Sequence, residues 1–81
     1  MPKIQRSDVP EELLRHLLDR VQERHISLDD LHQVIYWIGT NPTVPFGPWY
    51  KRFQGVTICG HGSLVKTFLT PQQTATGTEV Q

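Results

Sequence analysis

Four side chains in the second half of the chain are of the types that cleave RNA without a metal ion. That reaction needs general acid and base groups, and a cation that stabilises the charge developing on the phosphate. The four residues are His61, Tyr50, Arg52 and Lys66. Because nothing in their spacing shows that they converge, a small metal-independent ribonuclease is an alternative, and a function without catalysis is favoured.

Residues 60–67, GHGSLVKT, partly match the phosphate-binding loop pattern GxxxxGK[ST]. The glycine that must precede the lysine is replaced by Val65, and no helix is predicted to follow, so a nucleotide hydrolase is excluded. A weaker hypothesis is an anion-binding turn formed by the amides of Gly60 and Gly62 with the ammonium of Lys66. An ordinary hairpin turn is the simpler interpretation.

The spacing of the histidines and the cysteine disfavours nucleophilic and metal chemistry. Cys59 and His61 would share one face of a strand, but positions i and i+2 are usually too far apart for a hydrogen-bonded thiolate and imidazole. The other histidines lie at intervals of nine and seven positions: His16, His25 and His32. Ligands on one helix turn need an interval of about three or four. We therefore predict no metal and no cofactor.

Aromatic side chains are the feature that folding alone explains least. Four of them lie within eight positions: Phe46, Trp49, Tyr50 and Phe53. A core this small buries about two or three rings, and exposed Trp, Tyr and Arg dominate contact energy at protein interfaces. The sequence therefore predicts a partner-binding surface of Trp49, Tyr50, Arg52 and Phe53. RNA or single-stranded nucleic acid is an alternative ligand of this face, because rings stack on bases.

Two helices precede these residues. Apolar side chains in residues 9–25 recur at the spacing of one helical stripe. Residues 27–38 repeat that period, with Ser27 and Asp30 at the spacing of a capping box and Gly39 as the expected stop. The second helix contains no Lys or Arg, so the pair does not suit DNA recognition by a helix-turn-helix.

After the proline-rich segment 40–48 the hydrophobic period changes to two. This pattern predicts three strands, at residues 49–53, 56–59 and 64–69. A two-residue turn at Gln54-Gly55 and a four-residue turn at 60–63 would join them. The predicted fold is α+β: an N-terminal helical hairpin packed on a small C-terminal antiparallel sheet of about three strands, in meander order.

The length and composition limit the remaining possibilities. The chain has 81 residues and no net charge, which allows one domain, at residues 1–70, and a flexible polar tail at 71–81. One cysteine excludes an intramolecular disulfide, and no apolar run approaches the length of a membrane span. We expect a soluble cytoplasmic module that regulates or neutralises an unidentified protein partner, without membrane association. An edge strand could also form a homodimer.

Overall fold

In the computed structural model, which describes residues 2–81, two helices precede a four-stranded sheet. A short 3-10 turn at Arg6–Asp8 leads to the helices, which are α1 (Glu11–Gln22) and α2 (Leu28–Gly39). The strands are β1 (Pro48–Arg52), β2 (Thr57–His61), β3 (Leu64–Leu69) and β4 (Thr78–Glu79). The predicted α+β class, with N-terminal helices and a C-terminal sheet, is confirmed.

The sheet is larger than predicted and it is mixed. Its order is β3-β2-β1-β4, with an antiparallel meander of β1 to β3 and with β4 parallel to β1. The predicted count of three strands is therefore wrong by one. The fourth strand escaped the sequence pattern because two residues cannot show an alternation. The predicted domain at 1–70 includes Met1, which lies outside the described residues. The division of the chain into this domain and a flexible tail at 71–81 stays a prediction.

Local capping signals place the start of α2 correctly. The Ser27 Oγ accepts a hydrogen bond from the Asp30 N–H (3.0 Å), and the Ser27 hydroxyl donates to the Asp30 carboxylate (2.8 Å). At the other end the helix stops at Gly39, as predicted, and Thr40 is the C-cap. Asn41 follows in the left-handed conformation (φ 53°), which Asn tolerates better than most residues.

The same Asp30 carboxylate joins α2 to the β1–β2 turn. Its Oδ1 accepts a hydrogen bond from the Gly55 N–H (3.2 Å), and the Asp30 residue is only 7% exposed. A Cβ atom at Gly55 would overlap this carboxylate, so any other residue at this position would have to displace the Asp30 side chain. The contact fixes the end of β1 against the first turn of α2.

We expect Asp30→Ala to lower the free energy of unfolding by about 2–3 kcal/mol. The substitution removes the carboxylate that accepts hydrogen bonds from the Ser27 hydroxyl and from the Gly55 N–H, and the loss of both bonds is destabilising. Urea unfolding followed by circular dichroism measures the change. Asp29→Ala is the matched control, because it removes the same charge from the exposed neighbour and should cost below about 1 kcal/mol. Equal losses in the two variants would show that the Gly55 contact does not stabilise the fold.

One hydrophobic core lies between the helices and the sheet. Its buried apolar side chains come from residues 4–65 and are Ile4, Val9, Leu13, Leu17, Ile26, Leu31, Val34, Ile38, Val44, Trp49, Val56, Ile58 and Val65. The radius of gyration, 11.7 Å, matches the value of about 12 Å expected for a compact domain of this length. Among residues 2–81, no helix has the length and apolar character needed to cross a bilayer.

Candidate functional site

Trp49 lies in the core instead of on a contact surface. It is 0% exposed, its ring centroid lies 5.9 Å from that of Trp37 in an edge-to-face arrangement, and its indole N–H donates to the Gly62 carbonyl (2.8 Å). A side chain with no exposed surface cannot contact a partner of the folded protein. The predicted partner-binding role of Trp49 is therefore wrong.

The other three predicted contact residues lie on opposite faces of β1 and its extension. Phe53 faces the helices, where its half-buried ring lies 6.0 Å from Trp37. Tyr50 and Arg52 face the other way, because side chains alternate along a strand, and the Arg52 guanidinium lies 5.6 Å from the centroid of the Tyr50 ring. The four predicted residues do not form one continuous patch.

The predicted anion-binding turn is not formed. β2 continues further than expected, so a two-residue turn at 62–63 replaces the predicted four-residue turn. The Gly62 N–H donates to the Gly47 carbonyl (3.2 Å), and Gly60 lies inside β2 beneath the Trp49 ring. These two amides do not converge on an anion with the exposed Lys66, so the prediction of an anion site is wrong.

The four predicted nuclease groups are not brought to one site. His61 and Arg52 lie at opposite ends of the β1–β2 pair, because their partners are Pro48 and Thr57. The two ends are four positions apart along β1, which corresponds to a distance of about 13 Å. Tyr50 lies midway between them, and the exposed Lys66 belongs to the far strand, β3.

Cys59 does not have the environment of a nucleophile. The side chain is partly buried in β2, and burial raises the pKa of the Cys59 thiol. A nucleophilic cysteine needs the opposite shift, because the thiolate is the reactive form. Within residues 2–81, no group of three His, Cys, Asp or Glu side chains is placed to hold a metal ion.

A groove of about 620 Å³ opens between α2 and the end of β1. The wall formed by α2 includes His32, Tyr36 and Trp37, and the opposite wall includes Lys51, Arg52 and Phe53. The hydrogen bond between Asp30 and Gly55 fixes the N-terminal turn of α2 to the β1–β2 turn. This contact places α2 opposite the end of β1.

The rings of Trp37 and Phe53 pack edge to face inside this groove and give it an aromatic floor. The Lys51 Nζ lies 5.6 Å from the centroid of the Phe53 ring, a cation–π contact that places the ammonium on the groove wall. Arg52 also lines the groove, and its guanidinium extends over Tyr50 on the other face of β1. None of the groove's lining residues is Asp or Glu. The groove therefore favours a ligand that combines negative charge with apolar groups.

Tyr36, like Trp37 and Lys51, is a groove residue that the predicted contact set lacks. It is 78% exposed, more than any other large hydrophobic side chain of the described chain. The sequence contained a signal for this residue. Tyr36 does not belong to the apolar stripe of α2, whose members Leu31, Val34 and Ile38 are buried in the core. An aromatic side chain on the polar side of an amphipathic helix indicates a contact surface.

The fold and the groove thus define a small α+β domain with an aromatic groove, lined by Lys51 and Arg52, between a helix and a strand. Comparison of the chain with protein-family models, with curated proteins and with solved structures finds no match. The function is therefore inferred from the geometry of the groove.

Proposed function

We propose that this protein is a small non-enzymatic interaction module that binds a protein partner in the groove between α2 and β1 and so regulates or neutralises it. The supporting observation is that the exposed Tyr36 and the partly buried Trp37 and Phe53 meet Lys51 and Arg52 in one concave surface. Aromatic side chains and Arg provide most of the binding energy at protein interfaces. A lone thiol suits a reducing compartment, so we propose that the protein acts in the cytoplasm.

The charge of the groove specifies the partner. Two cations without a lining carboxylate attract an acidic segment, and the rings accept an apolar side chain of the same segment. Single-stranded nucleic acid would use the same groups, but its affinity grows with the number of phosphates that the protein neutralises. The groove supplies only Lys51 and Arg52 for that purpose, so a protein is favoured.

The test is affinity capture from an extract of the cells that express the protein, with quantitative mass spectrometry. Tyr36→Ser and Arg52→Glu should each lower the recovery of the partner about 30-fold, because removal of an interface hot spot costs about 2 kcal/mol or more. Phe46→Ser is the matched control for the ring, since Phe46 is 73% exposed and lies outside the groove lining. Lys66→Glu is the control for charge reversal, on an exposed residue of β3.

The controls should recover the same proteins as the wild type, and all four variants should unfold at similar temperatures. Recovery that is unchanged in Tyr36→Ser and Arg52→Glu would show that the groove is not the contact surface. Recovery that disappears after the extract is treated with ribonuclease would assign the binding to RNA and contradict the proposal.

A further inference from the structure

We propose that a cleft between α1 and the end of β3 is a binding site for phosphate monoesters. The cleft shares no lining residue with the groove between α2 and β1, so this site does not depend on the proposed function. Its volume is about 560 Å³, within the range of about 300–1,000 Å³ that is typical of small-ligand sites. The residues that would contact the ligand are His16, Arg20, His25, Phe68 and Gln73.

Helix α1 contributes two hydrogen-bond donors to one wall of the cleft. His16 and Arg20 are four positions apart, so their side chains lie on the same face of the helix. The Arg20 guanidinium is permanently charged, and its planar set of N–H groups fits the oxygens of a phosphate. The wall therefore combines a cation with an imidazole N–H.

The end of α1 brings a third donor, His25, to the same wall. Arg24 takes the left-handed conformation (φ 65°), and its N–H donates to the Val21 carbonyl (3.0 Å). The His25 N–H donates to the Arg20 carbonyl (2.9 Å). These two hydrogen bonds form a Schellman motif, which turns the chain back toward the last turn of the helix. The motif therefore holds His25 beside Arg20.

A carboxylate oxygen of the chain itself already contacts both of these side chains. The Oε1 atom of Glu23 lies 3.1 Å from the Nη1 atom of Arg20 and 4.0 Å from the Nε2 atom of His25. The two head groups thus converge on a position that an anionic oxygen accepts. Glu23 and Asp19 line a smaller adjoining cleft, and no acidic residue of the described chain lines the larger one. Glu23 uses only Nη1 of the guanidinium, which has further N–H donors for a ligand.

The residues at the end of β3 contribute an amide donor and an aromatic floor. The Gln73 Oε1 atom accepts hydrogen bonds from the Thr70 N–H (3.0 Å) and the Thr70 hydroxyl (3.4 Å), so the NH2 end of this amide is the donor that faces a ligand. Phe68 pairs with the buried Ile58, so its half-buried ring faces the helices. The ring lies between α1 and β3 and lines the cleft.

The donors and the ring together specify the ligand. Donor side chains from three segments of the chain line one cleft, whereas a carboxylate has only two oxygens to accept from them. A phosphate monoester has three terminal oxygens and a larger negative charge. The Phe68 ring provides a surface for the organic group of the ester, and aromatic groups pack best on such a ring.

The test is a titration of the isotope-labelled full chain, followed by NMR of its backbone amides, with inorganic phosphate, phenyl phosphate and benzoate. We expect saturable shifts at Arg20, His25, Phe68 and Gln73. Phenyl phosphate should bind about two- to tenfold more tightly than inorganic phosphate, because of the contact between rings. Benzoate has the same ring but two oxygens and a smaller charge, and it should bind more weakly than phenyl phosphate.

Four variants at exposed positions test the assigned donors without disturbing the core. Arg20→Gln should weaken phenyl phosphate at least about fivefold, while Arg15→Gln, which removes the same charge from α1 outside the cleft, should not. His16→Asn should weaken it about threefold, while His32→Asn on α2 should not. All four should unfold at temperatures close to that of the wild type.

Shifts that grow without saturation, or equal affinities of Arg20→Gln and Arg15→Gln, would overturn the proposal. Arg20 and His25 would then serve only as cations at the C-terminal end of α1. Saturable shifts confined to Lys51 and Arg52 would also overturn it, because the anion would then lie in the groove. A short capped peptide that contains phosphotyrosine distinguishes two sources of the same chemistry. If the peptide binds more tightly than phenyl phosphate, the ligand is a phosphorylated segment, and if it binds more weakly, the ligand is a small molecule.

Discussion

Replacing Trp49 by alanine is expected to lower the free energy of unfolding by about 3–5 kcal/mol. The side chain is 0% exposed, packs edge to face on Trp37 and donates its indole N–H to the Gly62 carbonyl. A domain of this length has roughly 4–12 kcal/mol of total stability. The variant would therefore lose a large fraction of it, and urea unfolding followed by circular dichroism measures the loss.

Two further variants make this expectation specific. Trp49→Phe keeps a ring in the core but removes the donor to Gly62, so its loss should be smaller, about 1–3 kcal/mol. Phe46→Ala removes an aromatic side chain that is 73% exposed and should change stability by less than about 0.5 kcal/mol. A Trp49→Ala variant as stable as Phe46→Ala would contradict the position of Trp49 in the core. The expected loss is also the reason that Tyr36, not Trp49, is the residue to substitute when binding is tested.

Gly60→Ala is expected to lower the midpoint of thermal unfolding by about 10–20 °C. An added Cβ would meet the Trp49 ring and would lie 2.6 Å from the Leu64 carbonyl oxygen, so the backbone or the indole must move. Overpacking of this kind typically costs about 1–3 kcal/mol, and each kcal/mol changes the midpoint by roughly 4–8 °C in a domain of this size. Differential scanning calorimetry measures the shift.

Gly39→Ala is the matched control for this substitution. Gly39 lies in α2, and an added Cβ there meets no atom within 4 Å. Alanine favours helix over glycine by about 0.5–1 kcal/mol, so this variant should unfold at a higher temperature than the wild type. Equal unfolding temperatures of the two alanine variants would show that the close approach of Gly60 to Trp49 does not affect the stability of the fold.

The parts of the fold that depend on neighbouring residues could be predicted from the sequence. The cap of α2 was predicted because Ser27 and Asp30 are three positions apart, and the turn at Gln54-Gly55 because glycine separates two β-type segments. β4 could not be predicted, since its partner strand lies far away in the sequence and its two residues carry no pattern of their own.

The candidate site was predictable only in part, for a related reason. Alternation along β1 shows that Trp49 and Tyr50 face opposite sides, but it does not show which side the helices cover. The predicted set therefore includes Arg52 and Phe53, which line the groove, and it also includes Trp49, which lies in the core. Tyr36 was missed because its role depends on how α2 lies against β1, which a contact distant in sequence, from Asp30 to Gly55, determines.

The parallel pairing of β4 with β1 has a consequence for the order in which this chain folds. The meander of β1 to β3 is joined by short turns, and hairpins of that kind close within microseconds. β4 must instead return to β1 across both intervening strands, with a larger loss of chain entropy and only two residues to offset it. This pairing should be the last to form during folding. The same contact should be the first to open in the native state, well before the rest of the sheet unfolds.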